Sequence, residues 1–110
     1  MTRAKAERRL ADWEQFAASL FDGYEFGLDD YRNDLDGRRL LDDAALDDAQ
    51  RRRLDVADAV VRAATDAAAV CVWGSQVAAS ERFEPDRHWF YFRVPKQPGD
   101  ELAADLKRLR

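Results

Sequence analysis

One cysteine, one histidine, one methionine and three prolines leave this 110-residue chain short of most side chains that chemistry uses. The lone Cys71 excludes an internal disulfide, and nothing else points to an oxidising compartment, so a cytoplasmic location is expected. No apolar run approaches the ~20 residues that cross a bilayer, so no membrane contact is expected. The stretch Met1–Leu10 lacks the apolar core of a secretion signal. Lysine is scarce as well: three against fifteen arginines, beside 19 alanines. That bias reads as GC-rich coding and points to a bacterial genome. No linker, repeat or low-complexity segment interrupts residues 1–110, which read as a single small globular domain.

What is present suits a folded protein. At 46% hydrophobic content, one core is expected, burying somewhat under ~70% of the unfolded chain's surface. The net charge of −4 is unevenly spread. Residues 22–50 hold ten acids against Arg32, Arg38 and Arg39, a local −7, so the remainder sums to +3. Such a segment repels nucleic-acid phosphates and attracts a basic partner. Asp29, Asp30, Asp42 and Asp43 are the acids expected to form that surface.

Hydrophobic periodicity marks helices. Leu10, Trp13, Ala17, Leu20 and Tyr24 recur at helical spacing, with Phe16 and Phe21 widening the stripe. After Gly23 and Gly27, Leu28, Tyr31 and Leu35 repeat the spacing, with Gly37 as the expected stop. Asp47-Asp48-Ala49-Gln50 fits a capping box opening a helix from about Asp48 to Ala67, with Leu54, Ala57, Val61 and Ala64 inward. Asp100 is placed to cap a last helix carrying Leu102, Leu106 and Leu109. Val70-Cys71-Val72-Trp73 reads as a short strand ending at Gly74, with continuation of the preceding helix as the alternative, and Ser75–His88 as a polar connection.

The densest signal is Trp89-Phe90-Tyr91-Phe92-Arg93-Val94. A half-exposed strand alternates apolar with polar, whereas this stretch is apolar on both faces and needs cover on both, from the chain's own helices or from a partner. The expected fold is therefore mainly helical α+β. It has three to four helices and a short two-stranded antiparallel ribbon at about 70–73 and 89–94. A lone ribbon needs such helical backing.

Four constellations bear on chemistry. Residues 32–43 resemble an EF-hand calcium loop, with Asp34, Asp36, Gly37 and Asp43 in register. Arg32 occupies the first ligand position and Arg39 the normally aliphatic eighth, so a turn is expected instead. Cys71 and His88 would lie at neighbouring ends of the ribbon, but Cys71 reads more simply as a small buried apolar residue, and Ser75 or Ser80 with His88 and Asp86 is a triad that a chain of this size offers by chance. The acid pairs Asp29-Asp30, Asp42-Asp43 and Asp47-Asp48 diverge by about 100° on a helix and share no site. Arg8-Arg9, Arg51-Arg52-Arg53, Arg82, Arg87 and Arg93 stand in a chain of pI about 5.0, which disfavours nucleic acid. For Arg51–Arg53, pairing within the helix to Asp47 and Asp48 is the simple expectation. No catalytic residue, metal ligand or cofactor follows from any of these, and the chain is not expected to be an enzyme.

The functional expectation is thus a binding class. The chain reads as a small acidic protein–protein interaction module, a self-associating protein, subunit or regulator, with an immunity-like role compatible with its charge. Its contact is expected at Trp89, Phe90, Tyr91, Phe92 and Arg93, forming a homodimer or meeting another protein. The alternative is a small-molecule or metal-binding domain using Trp73, His88, Trp89 and Tyr91.

Overall fold

A computed structural model describes residues 1–110. Five α-helices and a two-stranded antiparallel ribbon make up the chain: α1 (Arg3–Ser19), α2 (Leu28–Leu41), α3 (Asp48–Ala64), β1 (Thr65–Ala67), α4 (Ser75–Glu81), β2 (Arg93–Pro95) and α5 (Asp100–Leu106). The chain is mainly helical α+β, as its periodicity implies, with five helices where three to four were expected. No helix is long and apolar enough to cross a membrane.

α1 begins where the Thr2 hydroxyl accepts from the Lys5 amide (3.1 Å). It buries Ala6, Leu10, Trp13, Phe16 and Ala17. Phe21 does not join this stripe. It lies in a 3-10 turn (Leu20–Asp22) and is 53% exposed. The capping box of α3 is complete: the Asp47 carboxylate accepts from the Gln50 amide, and the Gln50 side chain accepts from the Asp47 amide. Leu54, Ala57, Val61 and Ala64 all face inward from α3, as their spacing requires. Glu7 meets Gln50 and Arg53, while Trp13 meets Asp58, so α1 and α3 run in the same direction. α2 packs on α1, reaches α3 through Arg38 and Asp58, and contributes Leu28, Tyr31, Leu35 and Leu41 to the core.

Gly37 does not stop α2. The helix runs four residues further because Arg38 and Leu41 both have buried partners to reach. A helix-interior glycine costs up to about 1 kcal/mol against alanine, less than that burial returns.

The ribbon meets the expected second strand only at Arg93 and Val94, and its first strand lies before residues 70–73. Thr65 pairs with Pro95, Asp66 with Val94 and Ala67 with Arg93. Residues 70–73 form a turn, with Cys71 and Val72 buried. Trp89–Phe92 coil into a 3-10 turn. The reason is visible in the burial: Phe90 and Tyr91 are consecutive, and both are in the core. A strand would send them to opposite faces. The two segments nevertheless touch, through the amides of Ala68 and Val72 donating to the carbonyls of Phe92 and Tyr91 (2.8 Å each).

The stretch read as a polar connection holds α4, which follows Gly74 at φ 90° and ends at a left-handed Arg82. α5 is capped by the Gly99 backbone rather than an Asp100 side chain, with Asp100 as its first residue. Leu102 is fully buried there, while Leu106 and Leu109 pack against the core edge.

Candidate functional site

Three of the five residues expected to make a contact are engaged inside the fold. Phe90 and Tyr91 are 1% and 0% exposed. The Tyr91 hydroxyl donates to Asp36, and Phe90 lies beneath the Arg38 guanidinium at 5.5 Å. Arg93 spends its donors on the Thr65 hydroxyl (2.7 Å) and on the carbonyls of Thr65 and Arg62 (2.8 and 3.1 Å). Only Trp89 and Phe92 keep uncommitted surface, and the Arg62 guanidinium covers the Trp89 ring at 3.8 Å.

The alternative set does not gather. Trp73 borders two hollows and lies under Arg32 at 5.0 Å, but His88, Trp89 and Tyr91 line neither hollow. His88 stacks toward Tyr91 and Phe83, and its Nδ1 accepts from the Glu84 amide (3.1 Å). Burial, then the nearby Arg87 charge, pushes the His88 pKa down. Burial pushes the Cys71 thiol up, the opposite of an activated nucleophile. No group of three or more His, Cys, Asp or Glu side chains has the arrangement to hold a metal ion. The calcium-like residues 32–43 are helical through Leu41, so no loop exists to wrap a cation.

The four acids expected to form one surface are divided. Asp29 and Asp30 open α2, while Asp42 and Asp43 follow its other end, about 20 Å away at 1.5 Å per residue. Asp29 lies 3.5 Å from Arg32, and Asp42 is bound at 2.6 Å by Arg38. Arg53 likewise pairs across to α1, with Glu7 and Glu14, rather than within its own helix.

A denser acidic feature forms where α1, α2 and the loop between them meet. A groove of about 520 Å³ is lined by Asp12, Asp22, Glu25 and Asp34, with Phe16, Tyr24 and Phe26 as its aromatic floor. Phe16 and Phe26 each meet the Tyr24 ring edge-on, at 6.0 and 5.8 Å. The Tyr24 hydroxyl donates to Asp34 (2.7 Å) and fixes that carboxylate on the wall. None of the seven ion pairs in the structure involves Asp12, Asp22, Glu25, Asp30 or Asp34. The mutual repulsion shows in Asp34. Its pKa is raised first by lost hydration, then by the Asp30 and Asp12 charges, with the Tyr24 hydrogen bond opposing. Arg9 borders the adjoining hollow with Asp12 and Asp34, and its Nε is buried without a partner.

Sequence order hid this site because Asp12 and Asp34 lie 22 positions apart. The available signal was local: Asp12 sits four residues before Phe16, and Asp30 four before Asp34, so each pair shares a helix face. The largest hollow, about 1080 Å³ between the starts of α2 and α4, is less suited to a ligand. Arg32 there donates to the Val72 carbonyl, and Asp105 accepts from the Leu28 amide, so these groups already serve the fold.

The chain matches no protein-family model, no curated protein and no solved structure.

Proposed function

We propose that this chain is a small protein–protein interaction module that holds a basic segment of a partner in the acidic groove between α1 and α2. The observation that carries this reading is four carboxylates in no ion pair lining a groove with an aromatic floor, with the Asp30 charge close enough to act on Asp34. An arginine or lysine head suits such a place twice over, by charge and by attraction to the exposed Phe26 ring. Exposed, unpaired carboxylates also draw a basic partner in from a distance. An immunity-like role, masking a basic surface, is one form of this reading. The composition and the lone cysteine support a bacterial cytoplasmic setting for it.

The test is a titration with a fluorescent, glycine-spaced oligoarginine peptide at several salt concentrations. Asp12→Asn with Asp30→Asn is expected to weaken capture about tenfold, the scale of two lost ion pairs, and to flatten its salt dependence. Asp43→Asn with Asp48→Asn removes the same charge away from the groove and should leave capture nearly unchanged. Equal loss in both double variants would mean that bulk charge alone acts, and the groove reading would fall.

A further inference from the structure

α1 and α3 share a second outward face, on the flank of α1 opposite the acidic groove. Its crests carry small apolar residues every seven positions: Ala4, Ala11 and Ala18 on α1, and Ala49, Val56 and Ala63 on α3, all exposed. A seven-residue step drifts only about 20° around a helix, so each set forms one stripe. Between the crests lies a mainly apolar groove of about 450 Å³, lined chiefly by Ala17, Ala18, Val56, Ala57 and Val60. Val56 is 66% exposed, the most exposed large apolar side chain in the chain.

Charge selects what covers this groove. Glu7 and Glu14 are both bound by Arg53, at 2.7 and 2.5 Å, and Arg52 lines the same groove, so two acids stand against two bases around it. A strongly acidic or strongly basic partner helix finds little here to complement. A second copy presents the same near-neutral face. Pairing about a two-fold axis leaves both acidic α2 sides turned away from each other, whereas pairing through α2 would set two segments of −7 together. Each helix is 17 residues, hence about 25 Å long. Two such helices about 9 Å apart give a face near or below the ~800 Å² per partner of a standard interface.

We infer that the α1–α3 face is the interface of a reversible homodimer, in which two helices from each copy close over the Val56 groove. The contact does not depend on the acidic groove. Its small area makes it concentration-dependent.

Sedimentation equilibrium of the full chain over a wide concentration range tests it. The weight-average mass is expected to climb from the 12.6 kDa monomer toward twice that value. Val56→Glu, exposed and so harmless to the fold, should hold the chain monomeric, with circular dichroism confirming unchanged helicity. Val77→Glu, on α4, should dimerise as the parent does. A parent that stays monomeric at the highest concentration overturns the inference and leaves the groove to a different protein. A dimer that survives Val56→Glu, or is lost only with Trp89→Ala, places the contact elsewhere and overturns it too.

Discussion

The Arg38 guanidinium grips the Asp58 carboxylate with two parallel hydrogen bonds, Nε to Oδ1 and a terminal nitrogen to Oδ2, both 2.9 Å. Trp13 donates its indole N–H to the same Oδ1 (3.0 Å), and Arg38 also reaches Asp42 (2.6 Å). One ionic cluster therefore ties α1, α2 and α3 together, with the Arg38 side chain only 9% exposed. Removing one member of a buried pair strands the other, at about 3–5 kcal/mol. Asp58→Ala should lower urea-unfolding stability by about that amount. Arg38→Met with Asp58→Leu, which removes both charges, should recover part of it. A loss below about 1 kcal/mol for Asp58→Ala would show that the cluster behaves as a surface pair.

Gly37 offers a gain rather than a loss. It lies in the interior of α2, and a Cβ built there meets nothing within 4 Å. Gly37→Ala should stabilise by about 0.5–1 kcal/mol through the lower entropy of the unfolded chain. Unchanged or reduced stability in the same urea assay would contradict this.

Gly37 also shows where sequence reading runs short. The α3 stripe and capping box and, Phe21 excepted, the α1 stripe follow local rules, and the structure carries them, with α3 ending at Ala64 rather than near Ala67 because Thr65–Ala67 pair as a strand. A glycine stops a helix only when nothing beyond it has a partner, and Arg38 has one 20 residues away. The aromatic run failed for the same kind of reason. Its composition states correctly that it needs cover, but whether it extends or coils depends on where Phe90 and Tyr91 must both point. The acidic groove was half legible. The excess of charge in residues 22–50 was plain, yet its concentration around Tyr24 depends on Asp12 of α1 arriving from outside that segment.

Phe90 and Trp89 should separate cleanly on substitution. Phe90→Ala empties a site that is 1% exposed and should cost about 3–5 kcal/mol. Trp89→Ala removes a half-buried ring that packs at the core edge against Phe90 and under Arg62, and should cost clearly less. Equal losses in thermal unfolding would mean that the 3-10 turn places both rings alike.

Asp34 links the groove to stability. Its folded pKa lies above the unfolded value of about 3.9, so its protonated form suits the fold best. The stability it contributes is therefore full below that unfolded value and lost as pH rises through the folded one. At neutral pH its charge is a liability that a binding site retains. Asp34→Asn keeps an acceptor for Tyr24 and should raise the melting temperature at pH 7, with the gain disappearing below about pH 4. The same variant should bind the oligoarginine peptide less well. A melting temperature that falls at neutral pH would remove the repulsion argument.

At the alkaline end the three tyrosines act together. Burial comes first in holding Tyr24, Tyr31 and Tyr91 un-ionised, and Asp34 and Asp36 reinforce it at Tyr24 and Tyr91. Each has a folded pKa above the ordinary value of about 10, so their contribution is intact below pH 10 and is lost as pH rises beyond it. Each group removes up to about 1.4 kcal/mol per pH unit, so three together remove up to about 4. Stability that is ample at neutral pH should then collapse within one or two units above pH 10. The tyrosinate absorbance band is expected to appear in the same transition that abolishes the helical circular dichroism. A tyrosinate signal that grows near pH 10 while the helices persist would show that one of these hydroxyls is open to solvent in the folded chain.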